Sequence, residues 1–240
     1  MSMIAGNWKM HCTEQEAIEL AEQIKGSSTV EVVIAPPFTA LHSVKQATIA
    51  KNIILAAQNM HYEEHGAYTG QISASMLKDF CTQVLIGHSE PRQMGETDEL
   101  INKKMQTAVA QGLQPILCIG EKLEEREQGT TMNVVTTQLE KGLQGVSASR
   151  MIIAYEPVWA IGTGKVATPE QAQEVHATIR AWVNKQYPEA QCTLLYGGSA
   201  KPENAEALLK QPDIDGLLIG GASLKAQSFN GMIEIAERLQ

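Results

Sequence analysis

The chain has 240 residues, 43% of them hydrophobic and 5% aromatic, with 19 Gly and 9 Pro, enough for one large domain with a well-buried core. Its formal net charge is −8 and its longest Lys/Arg cluster is the Lys103-Lys104 pair, which argues against nucleic acid or an anionic membrane surface as a partner. Cys12, Cys81, Cys118 and Cys192 lie far apart without metal-ligand or CxxC spacing, no apolar stretch approaches a membrane span, and no basic-then-apolar leader opens the chain; the expectation is a cytoplasmic protein with free thiols and no metal centre.

Along the chain, short apolar runs alternate with helical patterns. Met3-Ile4-Ala5 comes first, then Thr13 with Glu16, a capping-box signature ahead of Ala17, Ile18, Ala21 and Ile24. Runs follow at Val32–Ala35, Ile53–Ala57 and Val84–Ile86. Thr97, Asp98 and Glu99 then open a helix that turns Ile101, Met105, Ala108 and Val109 inward and closes at Gly112. Pro115–Ile119 and Met151–Tyr155 are the next runs. Thr168, Pro169 and Gln171 supply N-cap, N1 and N3 of a further helix, and Thr193–Tyr196 and Gly216–Ile219 complete the series. None of the eight runs alternates polar with apolar residues, the pattern of parallel strands buried on both faces. Eight strands and intervening helices, with no linker or low-complexity segment, predict a single (β/α)8 barrel domain over residues 1–240; a doubly wound open sheet is the other arrangement that the pattern allows.

In such a barrel the chemistry sits on the loops after the strands. Those positions hold Asn7 and Lys9, then His88 and Glu90, then Glu156, then Gly197-Gly198-Ser199, then Gly220-Gly221-Ala222-Ser223. A Lys, a His and a Glu on one mouth can stabilise an anion, polarise a carbonyl and move a proton. The two glycine-rich turns offer backbone N–H groups to a phosphate. Pro157 disfavours the α region for Glu156 and so holds it extended at its strand end. The Gly162-Thr163-Gly164 tip beyond reads as a hinged lid over a site that must be closed to water.

These residues resemble the triosephosphate isomerase family across essentially the whole chain. The resemblance is carried by Gly6–Met10, Ala57-Gln58-Asn59, Gly66–Gly70, Ile86–Glu90, Tyr155–Lys165, Tyr196–Ser199 and Leu218–Leu224. It implies interconversion of two triose phosphates through an enediol(ate), without metal or organic cofactor. It further implies Glu156 as the base, a neutral His88 as the electrophile, and Lys9 and Asn7 beside the reacting oxygens. Gly162, Ser199, Gly220 and Gly221 then form the phosphate grip, and Glu90 is a supporting carboxylate. A homodimer is implied through the loop around Met60–Gly70.

One segment departs from the family pattern. Pro91 stands where the family has the first of two arginines, and Pro91–Glu96 is about one residue short. That departure motivates a second functional reading, a barrel with weakened catalysis retained for binding or as a scaffold.

Overall fold

A computed structural model of the chain describes residues 2–147, 149–161 and 166–240. Eight parallel strands close into a barrel in sequence order, with β1 paired to both β2 and β8. They are β1 Met3–Asn7, β2 Glu31–Ala35, β3 Ile54–Ala57, β4 Gln83–Ile86, β5 Gln114–Ile119, β6 Arg150–Tyr155, β7 Gln191–Tyr196 and β8 Gly216–Ile219. The chain is therefore a (β/α)8 barrel, and the open sheet is set aside.

Both faces of the strands are buried, which is why their sequences do not alternate. Met3, Ala5, Val33, Ala35, Ala56, Leu85, Ile116, Cys118, Ile152, Ala154, Leu195 and Leu218 form one buried cluster, the barrel interior. Their sequence neighbours, such as Ile4, Ile34, Ile86, Ile153 and Tyr155, belong to a second cluster packed under the helices.

The helices are α1 Glu14–Gln23, α2 Leu41–Thr48, α3 Ala74–Leu77, α4 Ser89–Gln93, α5 Asp98–Ala110, α6 Leu123–Glu127, α7 Thr131–Gly142, α8 Pro169–Gln186, α9 Pro202–Leu209 and α10 Ala226–Arg238. The expected caps form. Thr13 and Glu16 exchange bonds in a full capping box on α1, as Thr168 and Gln171 do on α8. Thr97 accepts the Leu100 N–H at the start of α5, and Gly112, at φ 79°, follows its end.

The strand registers aim the site. Ile152 and Ala154 face the interior, so Glu156, two residues on, continues inward at the barrel mouth; Asn7 follows Met3 and Ala5 in the same way. His88 lies off that count. Gly87, in the left-handed region at φ 77°, breaks the alternation after β4 and brings the next side chain into the mouth.

Candidate active site

A cleft of about 630 Å³ opens at the C-terminal end of the barrel, and its lining includes Asn7, Lys9, His88, Glu156, Ser199, Gly220 and Gly221. These are the residues singled out from sequence, except two. Glu90 stands at the edge, reaching the site through Lys9. Gly162, with the rest of the Gly162-Thr163-Gly164-Lys165 tip, lies outside the described residues.

At the centre, His88 Nε2 and Glu156 Oε1 are 2.9 Å apart, and both residues are buried, with 5% and 2% exposure. The other oxygen of Glu156 accepts the Ser89 N–H at 2.9 Å. His88 is the N-cap of α4, and its Nδ1 accepts the backbone N–H of Glu90 at 3.3 Å. That bond fixes the tautomer: Nδ1 is an acceptor, so the proton sits on Nε2 and is donated to Glu156. Burial lowers the His88 pKa, but the charge and hydrogen bond of Glu156 outweigh it and hold the value above the ordinary one. The Glu90 N–H opposes that rise, because it occupies the only ring position left for a second proton.

One of the cations lining the cleft is held ready. The Lys9 ammonium lies 2.7 Å from Glu90 Oε1, and the Lys9 backbone N–H donates to Asn7 Oδ1 at 2.9 Å, which leaves the Asn7 amide nitrogen to donate elsewhere. Lys9 itself sits at φ 53°, a conformation that non-glycine residues adopt rarely and that functional loops retain. Gln58 fastens this loop by donating to the carbonyls of Lys9 and Ala35, at 2.8 and 2.9 Å. Burial raises the Glu90 pKa, yet the hydrogen bond and charge of Lys9 bring it below the ordinary carboxylate value.

The opposite wall is backbone. Gly198, Ser199, Gly221 and Ala222, on the turns after two adjacent strands, line the cleft and have amides without an acceptor among the described residues. Free backbone N–H groups in a cleft suit an anion. Glycine is needed at one further point: a Cβ on Gly197 would lie 2.8 Å from Glu156 Cγ and 3.2 Å from the Tyr155 carbonyl oxygen. The Ser199 hydroxyl donates to the Ala160 carbonyl at 2.7 Å, tying the first glycine-rich turn to the connection between β6 and α8.

Two supporting residues were not read from sequence. Glu121, fully buried at the end of β5, accepts the Tyr155 hydroxyl at 3.0 and 3.1 Å and the Trp159 indole N–H at 2.8 Å, while its carbonyl accepts the Val158 N–H. It anchors the start of the β6–α8 connection. Its one sequence signal was its place after a strand, where every other charged residue of the site also stands. Arg92 donates to the Gly87 and Cys118 carbonyls at 2.7 and 3.2 Å and pairs with Asp98 at 2.6 Å. The loop bearing His88 is thus fastened from within despite Pro91.

A model of the triosephosphate isomerase family matches residues 2–236 of the chain. The triosephosphate isomerases of Pelobacter propionicus and Carboxydothermus hydrogenoformans are each 52% identical to it over 243 residues, covering 96% of this chain and 97% of their own. That of Alkaliphilus oremlandii is 50% identical, covering 96% and 98%.

Proposed function

The chain belongs to the triosephosphate isomerase family and is an isomerase; we propose that its cleft interconverts dihydroxyacetone phosphate and D-glyceraldehyde 3-phosphate by Glu156/His88 proton transfer under a closing lid. The observation that carries this reading is the buried His88–Glu156 contact at 2.9 Å, facing two turns of unengaged backbone N–H groups. A base, an acid and an anion cradle share one cleft.

In the proposed reaction the phosphate is seated on Ser199, Gly220 and Gly221, with Gly162 closing over it. The substrate carbonyl takes the Nε2–H of His88, and Glu156 exchanges Ser89 and His88 for the neighbouring carbon. It removes a proton there and returns it to the adjacent carbon. A neutral imidazole suits this step, since its N–H acidity lies near that of the enediol. Lys9, released from Glu90, offsets phosphate and enediolate charge, and the Asn7 amide donates to the reacting oxygens. The proton lies next to a carbonyl and the donors hold the charge, so the reading needs no metal or organic cofactor.

The lid has a chemical purpose. An enediolate beside a phosphate can expel it by elimination, and closure fixes the geometry that prevents this. The same reading has the chain working in the cytoplasm as one domain and as a homodimer through Met60–Gly70. Support for the dimer comes from Met10, Tyr68 and Met94, apolar side chains on loops one, three and four that stand 95%, 41% and 82% exposed.

The test is turnover of glyceraldehyde 3-phosphate by the purified protein in a coupled assay. Turnover with a KM in the micromolar to millimolar range, about 1 μM to 1 mM for enzymes generally, is the expected result. Binding of the triose phosphate without turnover would instead favour a barrel retained as a binding protein.

A further inference from the structure

Lys9 is held in a conformation that its own covalent structure disfavours. β1 ends at Asn7, and two residues later Lys9 takes φ 53°, in the left-handed region, where Cβ crowds the following carbonyl oxygen. A backbone of this kind relaxes to an ordinary conformation unless its surroundings hold it.

The strained backbone aims the side chain. The lysine chain passes Gly220, on the turn after β8, where a Cβ would come 3.2 Å from Lys9 Cε. It ends with its ammonium 2.7 Å from Glu90 Oε1, beyond β4 on the other side of the mouth. Relaxing φ to about −63° would swing the Cα–Cβ bond by roughly 115° about the N–Cα axis and carry the ammonium off this path.

Two side chains hold the residue, one on each side of its Cα. Asn7 Oδ1 accepts the Lys9 N–H at 2.9 Å. The Lys9 carbonyl accepts Gln58 Nε2 at 2.8 Å, its one hydrogen bond among the described residues, and the same nitrogen donates to the Ala35 carbonyl at 2.9 Å. A side-chain amide nitrogen carries two hydrogens, so both donors of Gln58 serve this corner. Gln58 directly follows β3 and Ala35 ends β2, so the bonds tie the residue after β1 to the ends of the next two strands. Gln58 itself lines no part of the cleft.

We propose that Gln58 is a positioning residue: by holding the Lys9 carbonyl it keeps Lys9 in the left-handed conformation that places the ammonium over the cleft. The inference rests on the part given to Lys9 in the proposed reaction.

A double-mutant cycle with Lys9 separates positioning from general support of the fold. Gln58→Met keeps the length of the side chain and removes both donors. Two quantities are read: kcat/KM for glyceraldehyde 3-phosphate, and affinity for glycerol 3-phosphate, which carries the phosphate but no carbonyl. In the otherwise wild-type chain Gln58→Met should lower each about tenfold, within the ordinary range for coupled neighbours. In the Lys9→Met background the same substitution should change each by less than about twofold, because no ammonium is left to misplace. Affinity scores the cycle where that background turns over too slowly to assay. Gln58→Glu, which keeps the shape but turns an ionised carboxylate toward the two carbonyls, should behave as Gln58→Met does.

Lys9→Met with wild-type kcat/KM and affinity overturns the role given to Lys9 and this inference with it. Three results overturn this inference alone: losses of equal size in both backgrounds, no loss from Gln58→Met in the wild-type background, or failure of both Gln58 variants to fold.

Discussion

At the scale of single residues, the position of Glu156 depends on what a neighbour lacks. Gly197 has no side chain, and a Cβ there would press on Glu156 Cγ at 2.8 Å. Gly197→Ala should therefore lower kcat by at least about tenfold, because a small misplacement of a catalytic group is costly in rate. Gly221 gives the contrast: a Cβ there meets no atom within 4 Å, so Gly221→Ala should fold normally, raise KM and weaken glycerol 3-phosphate binding by crowding the anion. Steady-state kinetics on both variants checks the split, and a Gly221→Ala variant with unchanged KM would place the anion elsewhere. The two buried histidines make opposite contributions to pH dependence. Burial lowers the His176 pKa; the Ala172 and Leu195 backbone and Asp215 act upward, Arg180 downward, and burial wins. Below the ordinary value of 6.5 the unfolded chain then binds more protons at this position than the folded one, so this contribution to stability falls as pH drops from there toward the lowered value. His88 has the reverse sign: its raised pKa gives a contribution that is full below 6.5 and fades as pH rises through the raised value. The difference in Tm between His176→Phe and wild type should accordingly shift in favour of the variant between pH 7 and pH 5; a difference that does not change with pH contradicts this.

At the scale of elements, α4 and the loop before it are where the sequence reading expects a departure from the family pattern at Pro91, and the sequence could not say what supports the loop there. Pro91 fits because an early helical position needs no N–H donor. The support comes instead from Arg92, whose guanidinium joins two carbonyls and Asp98. Removing it in Arg92→Met leaves a mostly buried carboxylate and two carbonyls unpaired, a cost on the order of 3 kcal/mol. Thermal unfolding should show that loss together with a reduced kcat, and a variant with wild-type stability would mean that the loop is held by other contacts. This is also where legibility in the sequence ends. Caps such as Thr13 with Glu16 and Thr168 with Gln171 were readable because their partners lie three residues apart, and the strands because both of their faces are apolar. Asn7, Lys9, His88 and Glu156 were readable because each ends or follows a strand. Arg92 reaching Cys118, Glu121 reaching Trp159, and His176 between two tyrosines are contacts across the fold, and no local spacing encodes them.

At the scale of the whole molecule, a net charge of −8 opposes a phosphate-bearing substrate, so attraction has to be local, from Lys9 and the free backbone amides of the mouth. Loop geometry also bears on assembly. Pro91 cannot offer the guanidinium donors of the arginine that it replaces, so contacts steadying loop four against a partner's loop should be fewer. The proposed dimer should dissociate at about nanomolar concentration or above, and specific activity should fall with it on dilution, because in that dimer the partner's loop would support Lys9 and His88. Sedimentation alongside a dilution series checks this, and activity that holds constant while the dimer dissociates would contradict it. The central claim is that Glu156, poised against His88, carries the proton. Its most direct measurement is kcat and KM for glyceraldehyde 3-phosphate with Glu156→Asp, which draws the carboxylate back by one methylene, about 1 Å, and leaves its charge in place. The account predicts a fall in kcat of at least about 10²-fold with little change in KM, and a variant that keeps most of its kcat would contradict it.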